Sequence, residues 1–221
     1  MSNLKSTEHI WILGAGRFGT IAAERLSAKV PPRQIRVIDH RKNRMAGLPP
    51  GVEPVTGDAI DYLVSHLGQG TDPDWIVPAV PVHVAWEFIR RRLGGKGMLS
   101  AAAPDTDLLA TLPNAMTGEG GAMYASIADF LCPDNCPEPA DRCTHTGKAR
   151  PVELFQVIHE IAGERCASVV LQSRQLAPGV GGYRPLALLN AFAQVRAANR
   201  PILLATACRC HGVMHLLNAR R

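Results

Sequence analysis

Apolar runs of strand length and helical stripes alternate through the first hundred residues. Residues 9–13 read as a buried strand, and a glycine-rich turn separates it from a helix predicted over 18–29. Phe18, Ile21, Ala22 and Leu26 of that helix fall on one face. Pro31 and Pro32 stop it. A second strand over 34–38 ends at Asp39, a short helix covers 41–46, and a third strand spans 52–55. The alternation continues with a helix at 59–66, a strand at 75–77, an amphipathic helix at 82–93 and a fifth strand at 98–102. This succession predicts an α/β fold with a doubly wound parallel, Rossmann-like sheet.

The pattern breaks over 104–149, which is rich in Pro, Gly, Asp and Cys and has no long helical period. A structureless stretch of that length implies that something staples it or uses it. Regular pattern resumes with a helix at 151–161, a strand at 167–171, a helix at 186–198, a strand at 202–205 and a last helix at 210–218. The predicted division is a Rossmann half (1–103), a cysteine-rich loop insertion (104–150) and a C-terminal α/β half (151–221). That last part either completes the same sheet or forms a small second domain.

Composition narrows the classes. Hydrophobic residues make up 46% and aromatics only 5%, so the cores are built from Ala, Val, Ile and Leu, as suits parallel strands covered by helices. The net charge is +5, with 19 Arg against 5 Lys, and arginine suits bidentate contact with phosphate or carboxylate. No basic stripe with interleaved aromatics appears, so nucleic acid is not the expected partner. No apolar run approaches the ~20 residues that cross a bilayer. The opening residues lead into a strand without a signal-peptide core. A cytoplasmic location follows as the expectation. In reduced surroundings the six cysteines point to metal or redox chemistry before disulfides.

Gly14-Ala15-Gly16-Arg17-Phe18-Gly19 is a G-x-G-x-x-G motif that follows a strand and opens a helix. The first glycine permits the tight turn, the second lets backbone approach a pyrophosphate, and the third allows close helix–strand packing. The helix amino end attracts the phosphate charge. Asp39, 20 residues beyond Gly19, ends the second strand, where a carboxylate accepts hydrogen bonds from the adenosine ribose. The expected ligand is a dinucleotide, NAD before NADP, because Asp39 repels a 2′-phosphate. Arg41 and Arg44 keep NADP open, and another adenosine ligand could use the same acid.

With the 14–19 motif, the Val37-Ile38-Asp39 strand end and Gly57-Asp58-Ala59, residues 9–76 resemble the TrkA-N (RCK/KTN) nucleotide-binding domain of potassium-uptake regulators. The resemblance implies a Rossmann fold that binds NAD(H) or an adenine nucleotide through Gly14, Gly16, Arg17, Phe18, Gly19 and Asp39, with Gly57 and Asp58 near the cofactor. The segment 78–83 and the cysteine-rich half have no counterpart in those regulators. The whole chain also resembles uncharacterised bacterial proteins carrying both the Rossmann start and the cysteine pattern, which implies no function.

Cys132, Cys136 and Cys143 are spaced C-x3-C-x6-C, and Cys208-Arg-Cys210-His211 forms a second cluster. Thiolates gather around zinc or iron–sulfur clusters, and three ligands from a loop with one or two from a distant strand end would close a four-ligand site. The spacing is neither that of a zinc ribbon nor of a ferredoxin, so the metal stays open. Buried thiols acting as small hydrophobes are the alternative, which suits Cys166 best; a disulfide switch is a third.

If the 202–205 strand joins the first sheet in parallel, the cysteines sit on the cofactor edge. The 173–185 segment, with Arg174, Arg184 and three glycines, is either an anion site for a small phosphate or carboxylate substrate or an ordinary glycine loop. His83, after the fourth strand, is a candidate proton donor beside the nicotinamide or a helix-end residue. Thr146-Gly147-Lys148 lacks the upstream pattern of a P-loop. Two functions fit: an NAD(P)-dependent oxidoreductase using His83 or Arg174 toward substrate, or a non-enzymatic NAD(H) or redox sensor signalling to a partner. The chain's own copy (a homodimer) or another protein would be that partner.

Overall fold

The computed structural model describes residues 4–94, 106–163 and 166–218. Its first half runs β1 (Ile10–Leu13), α1 (Arg17–Ser27), β2 (Ile35–Asp39), β3 (Glu53–Thr56), α2 (Ala59–His66), β4 (Trp75–Pro78) and α3 (Val84–Arg92). The four strands pair in parallel in the order β3-β2-β1-β4. All four residues of β1 are buried, and the pleat divides them. Ile10 and Ile12 enter a core with Ala22 and Leu26 of α1, whereas Trp11 and Leu13 enter one with Leu63 of α2 and Phe88 of α3. Two covered faces explain why the strand reads as an unbroken apolar run.

The second half contributes α4 (Thr106–Thr111), β5 (Met116–Thr117), β6 (Met123–Ser126), α5 (Leu154–Ala162), β7 (Ala167–Gln172), β8 (Arg174–Ala177), β9 (Val180–Gly182), α6 (Pro185–Ala197), β10 (Ile202–Ala207) and β11 (His211–Leu217). A second sheet has the order β5-β6-β11-β10-β7, in which β7 and β10 are parallel and the other pairs antiparallel. Leu203, Ala205 and Ala207 of β10 pack with Leu154 and Ile158 of α5. Ile202 and Leu204 face the opposite way, into the core that holds Phe88 of α3 and Leu188, Ala191 and Val195 of α6. Helices α3 and α6 thus join the two sheets through one shared core.

Several expectations are corrected. The 202–205 strand belongs to the second sheet, not to that of β1–β4. The predicted helix at 210–218 is β11: the stretch fits either period, and hydrogen-bonded neighbours on both sides, β6 and β10, decide for strand. The 104–150 segment is not all loop, since β5 and β6 build one side of the second sheet. The 173–185 segment is largely a hairpin, β8 with β9. Its Pro178-Gly179 turn, with Gly179 at φ +67°, was the sequence signal for it. The hairpin attaches to β4 through an Ile76–Tyr183 bridge, with N–H···O distances of 2.9 and 3.0 Å. A side chain at Gly182 would place its Cβ 2.9 Å from the Ile76 carbonyl oxygen, so the approach requires glycine. The predicted strand at 98–102 lies outside the described residues. Among the described residues no helix is long and apolar enough to cross a membrane.

Candidate functional site

From β1 the chain steps outward to β2 and β3 and then returns to the other side of β1 as β4. Connections therefore diverge at the carboxyl ends of β1 and β4, where parallel sheets form a crevice. A cleft of about 800 Å3 opens there, walled by Gly14, Gly16, Arg17, Phe18, Asp39 and Asp58, by 77–82 after β4, and by 179–181 of the hairpin.

Each glycine of the motif meets a different constraint. Gly14 has φ +104°, its amide donates to the Ile38 carbonyl at 2.7 Å, and a Cβ would lie 2.8 Å from the Ala79 oxygen. A Cβ on Gly19 would fall 1.9 Å from the Gly14 oxygen, so that residue sets how closely α1 approaches the turn. At Gly16 the nearest atom to a Cβ is Arg44 Nη1, 3.8 Å away, and the space above it belongs to the cleft. No side chain caps α1, and its first turn carries no acid. Its leading amides are thus available to an anion.

Asp39 is buried, and its two oxygens accept amide hydrogens from Ala15 and Arg41, each at 2.7 Å. Burial alone would raise its carboxyl pKa. The Ala15 and Arg41 amides outweigh that, helped by His40 and Arg44, and hold the group below its ordinary value. An ionised carboxylate has about four lone-pair sites, so two remain for ribose hydroxyls. Arg41 and Arg44 line the same end. Asp58 caps α2, accepting from Ile60 and Asp61 at 2.9 Å, and pairs with Arg91 at 2.7 Å. Gly57 is not among the cleft's lining residues, and its amide donates to the Asp39 carbonyl at 3.1 Å.

Cys132, Cys136 and Cys143 lie on the irregular segment between β6 and α5, and Cys208 and Cys210 on the turn between β10 and β11. Folding brings the two clusters together. Ile127 N–H donates to the Cys210 carbonyl at 2.8 Å, and Arg209 N–H to Glu138 Oε1 at 2.8 Å. The Cys132 thiol is pushed up by burial and then by Cys136 and Cys143, and Cys210 also by burial, with Cys132 contributing. The Cys143 thiol is lowered by Thr146, whose amide and side chain hydrogen-bond to it. Cys208 Sγ accepts the Cys210 and His211 amides at 3.5 and 3.4 Å, yet burial raises its thiol strongly. Among the described residues no three His, Cys, Asp or Glu side chains form a group that could hold a metal ion. The donors for iron–sulfur or zinc are gathered without forming a ligand shell. Cys166 is buried, with its thiol donating to the Ala162 carbonyl at 3.8 Å, as a packing residue.

The cysteine segment docks against the cleft by a route that sequence reasoning missed. Arg17, at the start of α1, pairs with Asp134 at 2.9 Å. Arg25 Nη1 donates to the Asp134 and Pro178 carbonyls, both at 2.6 Å. Gly179 N–H and Gln175 Nε2 donate to the Cys136 carbonyl at 2.9 and 2.6 Å. A Cβ on Gly179 would lie 1.7 Å from the Asp134 oxygen, so the fit needs glycine.

His83 precedes α3 as expected, but its ring is buried. Its Nδ1 lies 3.0 Å from His215 Nδ1 and its Nε2 3.1 Å from Thr206 Oγ1. Burial, with His215 beside it, drops its pKa to about 3, so it is neutral near pH 7. That removes the simple reading of His83 as a protonated donor in the cleft. Arg174 starts β8 exposed and away from the cleft wall, and Arg184 is committed to Glu8 at 2.7 Å and to the Trp75 ring, 3.9 Å from its centroid. The 173–185 segment therefore does not gather its two arginines into an anion site.

Residues 85–220 match the AF_1314_C family model, described as "Uncharacterized protein, C-terminal domain". The chain belongs to the AF_1314_C family. An "Uncharacterized protein" of Archaeoglobus fulgidus is 30% identical over 218 residues, covering 93% of this chain and 97% of its own length. No solved structure matches. The AF_1314_C match starts in α3 and takes in the cysteine segment and second sheet.

Proposed function

We propose that the protein binds a nicotinamide dinucleotide, NAD before NADP, in the cleft above β1, and couples its occupancy to the cysteine segment docked beside it. The uncapped amino end of α1, set between the glycine turn and Asp39 within an 800 Å3 cleft, carries the reading. In it, β1–β4 and their helices are one half of a doubly wound dinucleotide fold. The α1 amides and Arg17 hold the pyrophosphate, and the free lone pairs of Asp39 take the adenosine ribose hydroxyls. Running from β2 across β1, the nicotinamide end falls at 78–82, after β4. The bound dinucleotide would supply hydride chemistry there.

Gly16→Val tests this directly. Its Cβ meets nothing closer than 3.8 Å in the protein, so the fold is expected to persist while the branched side chain fills the space for the phosphates. NADH binding by titration calorimetry should weaken at least about tenfold, the loss that about 1.4 kcal/mol of displaced contact produces. Equal binding by the variant would sink the reading. NADPH should bind wild type more weakly than NADH because of Asp39.

The cysteines supply the redox part. Cys132, Cys136, Cys143, Cys208 and Cys210 would have to draw closer than they stand here to hold iron–sulfur or zinc, and bound metal is read by elemental analysis of the purified protein. The non-enzymatic sensor is favoured by one observation, the Arg17–Asp134 pair. A phosphate at α1 competes with Asp134 for Arg17. The pair is exposed and contributes at most about 1 kcal/mol, so it yields readily. Saturating NADH should change N-ethylmaleimide labelling of Cys132 and Cys136 by up to about fivefold, the most such a pair can transmit. Arg17→Ala should abolish the change; an unaltered wild-type rate would separate the cleft from the cysteines.

A further inference from the structure

The segment 78–82 has a second cavity on its other side. This one has a volume of about 340 Å3, at the small end of the range for ligand sites, and is half open to solvent. Pro78, Val80, Pro81 and Val82 line both cavities. The opposite wall comes from the second sheet, through Tyr124 of β6, Thr206 of β10 and Val213 of β11. The cavity therefore lies between the two halves of the molecule, a common place for small-molecule sites. Val82 and Tyr124 are both exposed and give it an opening to solvent.

Its chemistry is neutral. No Asp, Glu, Lys or Arg is among its described lining residues, and the His83 imidazole is uncharged. An ionic group turned toward its inner wall would find no charged partner, which is unfavourable. The polar side chains are Thr206, the two tyrosines and His83. Thr206 Oγ1 lies 3.1 Å from His83 Nε2, and His83 Nδ1 lies 3.0 Å from His215 Nδ1, so the donor at each contact follows the tautomer of the histidine pair. In either tautomer Thr206 Oγ1 keeps a lone pair for a ligand. Tyr183, held against β4, also lines the cavity, and its hydroxyl is shielded from solvent.

We propose that this cavity binds a compact, uncharged, largely apolar alcohol, whose O–H donates to Thr206 Oγ1 against a wall of Val80, Val82 and Val213. An alcohol oxygen can donate to Thr206 and also accept from it, so it suits that hydroxyl in either tautomer of the histidine pair. That this alcohol is the substrate facing the nicotinamide end rests on the dinucleotide reading; the binding itself does not.

The experiment uses the full chain without dinucleotide, with cyclohexanol and cyclohexanecarboxylate as probes in saturation-transfer NMR. Wild type should show saturable binding of cyclohexanol and none of the carboxylate. Thr206→Val, which keeps the shape and removes the acceptor, should weaken cyclohexanol about three- to tenfold, the worth of one neutral hydrogen bond. Val213→Phe, at a half-buried position, should fill the cavity and remove the signal. NADH titration of both variants, expected to match wild type, shows that the fold and the neighbouring cleft persist. Absence of saturable cyclohexanol binding in wild type, binding undiminished in Val213→Phe, or carboxylate binding as tight as the alcohol would each overturn the proposal. A failure to bind NADH would leave these outcomes standing and would count only against the dinucleotide reading.

Discussion

Phe88→Ala is expected to destabilise both sheets together, by about 3–5 kcal/mol, the usual cost of deleting a buried phenyl ring. The ring is fully buried, meets Phe192 of α6 edge-on at 6.3 Å, and has the Arg92 guanidinium 5.3 Å from its centroid. A domain's whole stability is about 5–15 kcal/mol, so the variant would lose a large share of it. The core around Phe88 holds residues of β1, β4, α2, β10 and β11. Urea unfolding followed by far-UV circular dichroism and by tryptophan fluorescence should shift to lower midpoints in step. Trp11 and Trp75 lie in the first half and Trp86 of α3 stacks on His215 of β11 at 5.5 Å, so fluorescence reports the first half and its seam with the second sheet. Two separate transitions, with only the fluorescent one displaced, would show that the halves unfold independently.

Asp39→Asn has the next largest effect, and it acts on stability and binding at once. Both oxygens of Asp39 accept backbone amides, and an Asn side chain must turn its NH2 toward one of them. An unsatisfied buried donor costs about 1–3 kcal/mol. The lost charge also removes the preferred acceptor for a ribose diol, so NADH binding should fall at least about tenfold. The pH dependence has a definite sign. Because the folded carboxyl lies below its unfolded value, its contribution is complete above about pH 4 and disappears as pH falls through the folded value. Wild type should therefore lose stability steeply below pH 4, and the Asn variant less steeply. Parallel acid-unfolding curves would remove Asp39 from the account.

The elements legible in the sequence were those whose own pattern decided them. The helix over 59–66 coincides with α2, and β1, α1 and β2 lie within a few residues of expectation because a glycine turn and two prolines fix their ends. Legibility failed where distant partners decide. Nothing within 210–218 says strand; β6 and β10 on either side do. Nothing in 202–205 tells which sheet it joins, since a buried parallel strand reads the same in either. Among the candidate site residues, Gly14, Gly19 and Asp39 announced themselves through motif and spacing. His83 was visible as a residue but not as half of a buried pair, because His215 stands 132 positions away. Asp134 carried no signal either: its meaning comes from Arg17 and Arg25, more than a hundred residues upstream.

The Ile76–Tyr183 bridge has a consequence for synthesis of the chain. When β4 leaves the ribosome, one side of it pairs with β1 while its other side must wait for a segment made about a hundred residues later. Until then the nascent parallel sheet presents a bare apolar margin of the kind that captures other chains. Long-range pairing of this sort slows folding, because loop closure precedes the contacts that reward it. A fragment ending after α3 would keep that margin permanently, since the hairpin is what covers the β4 side of the parallel sheet.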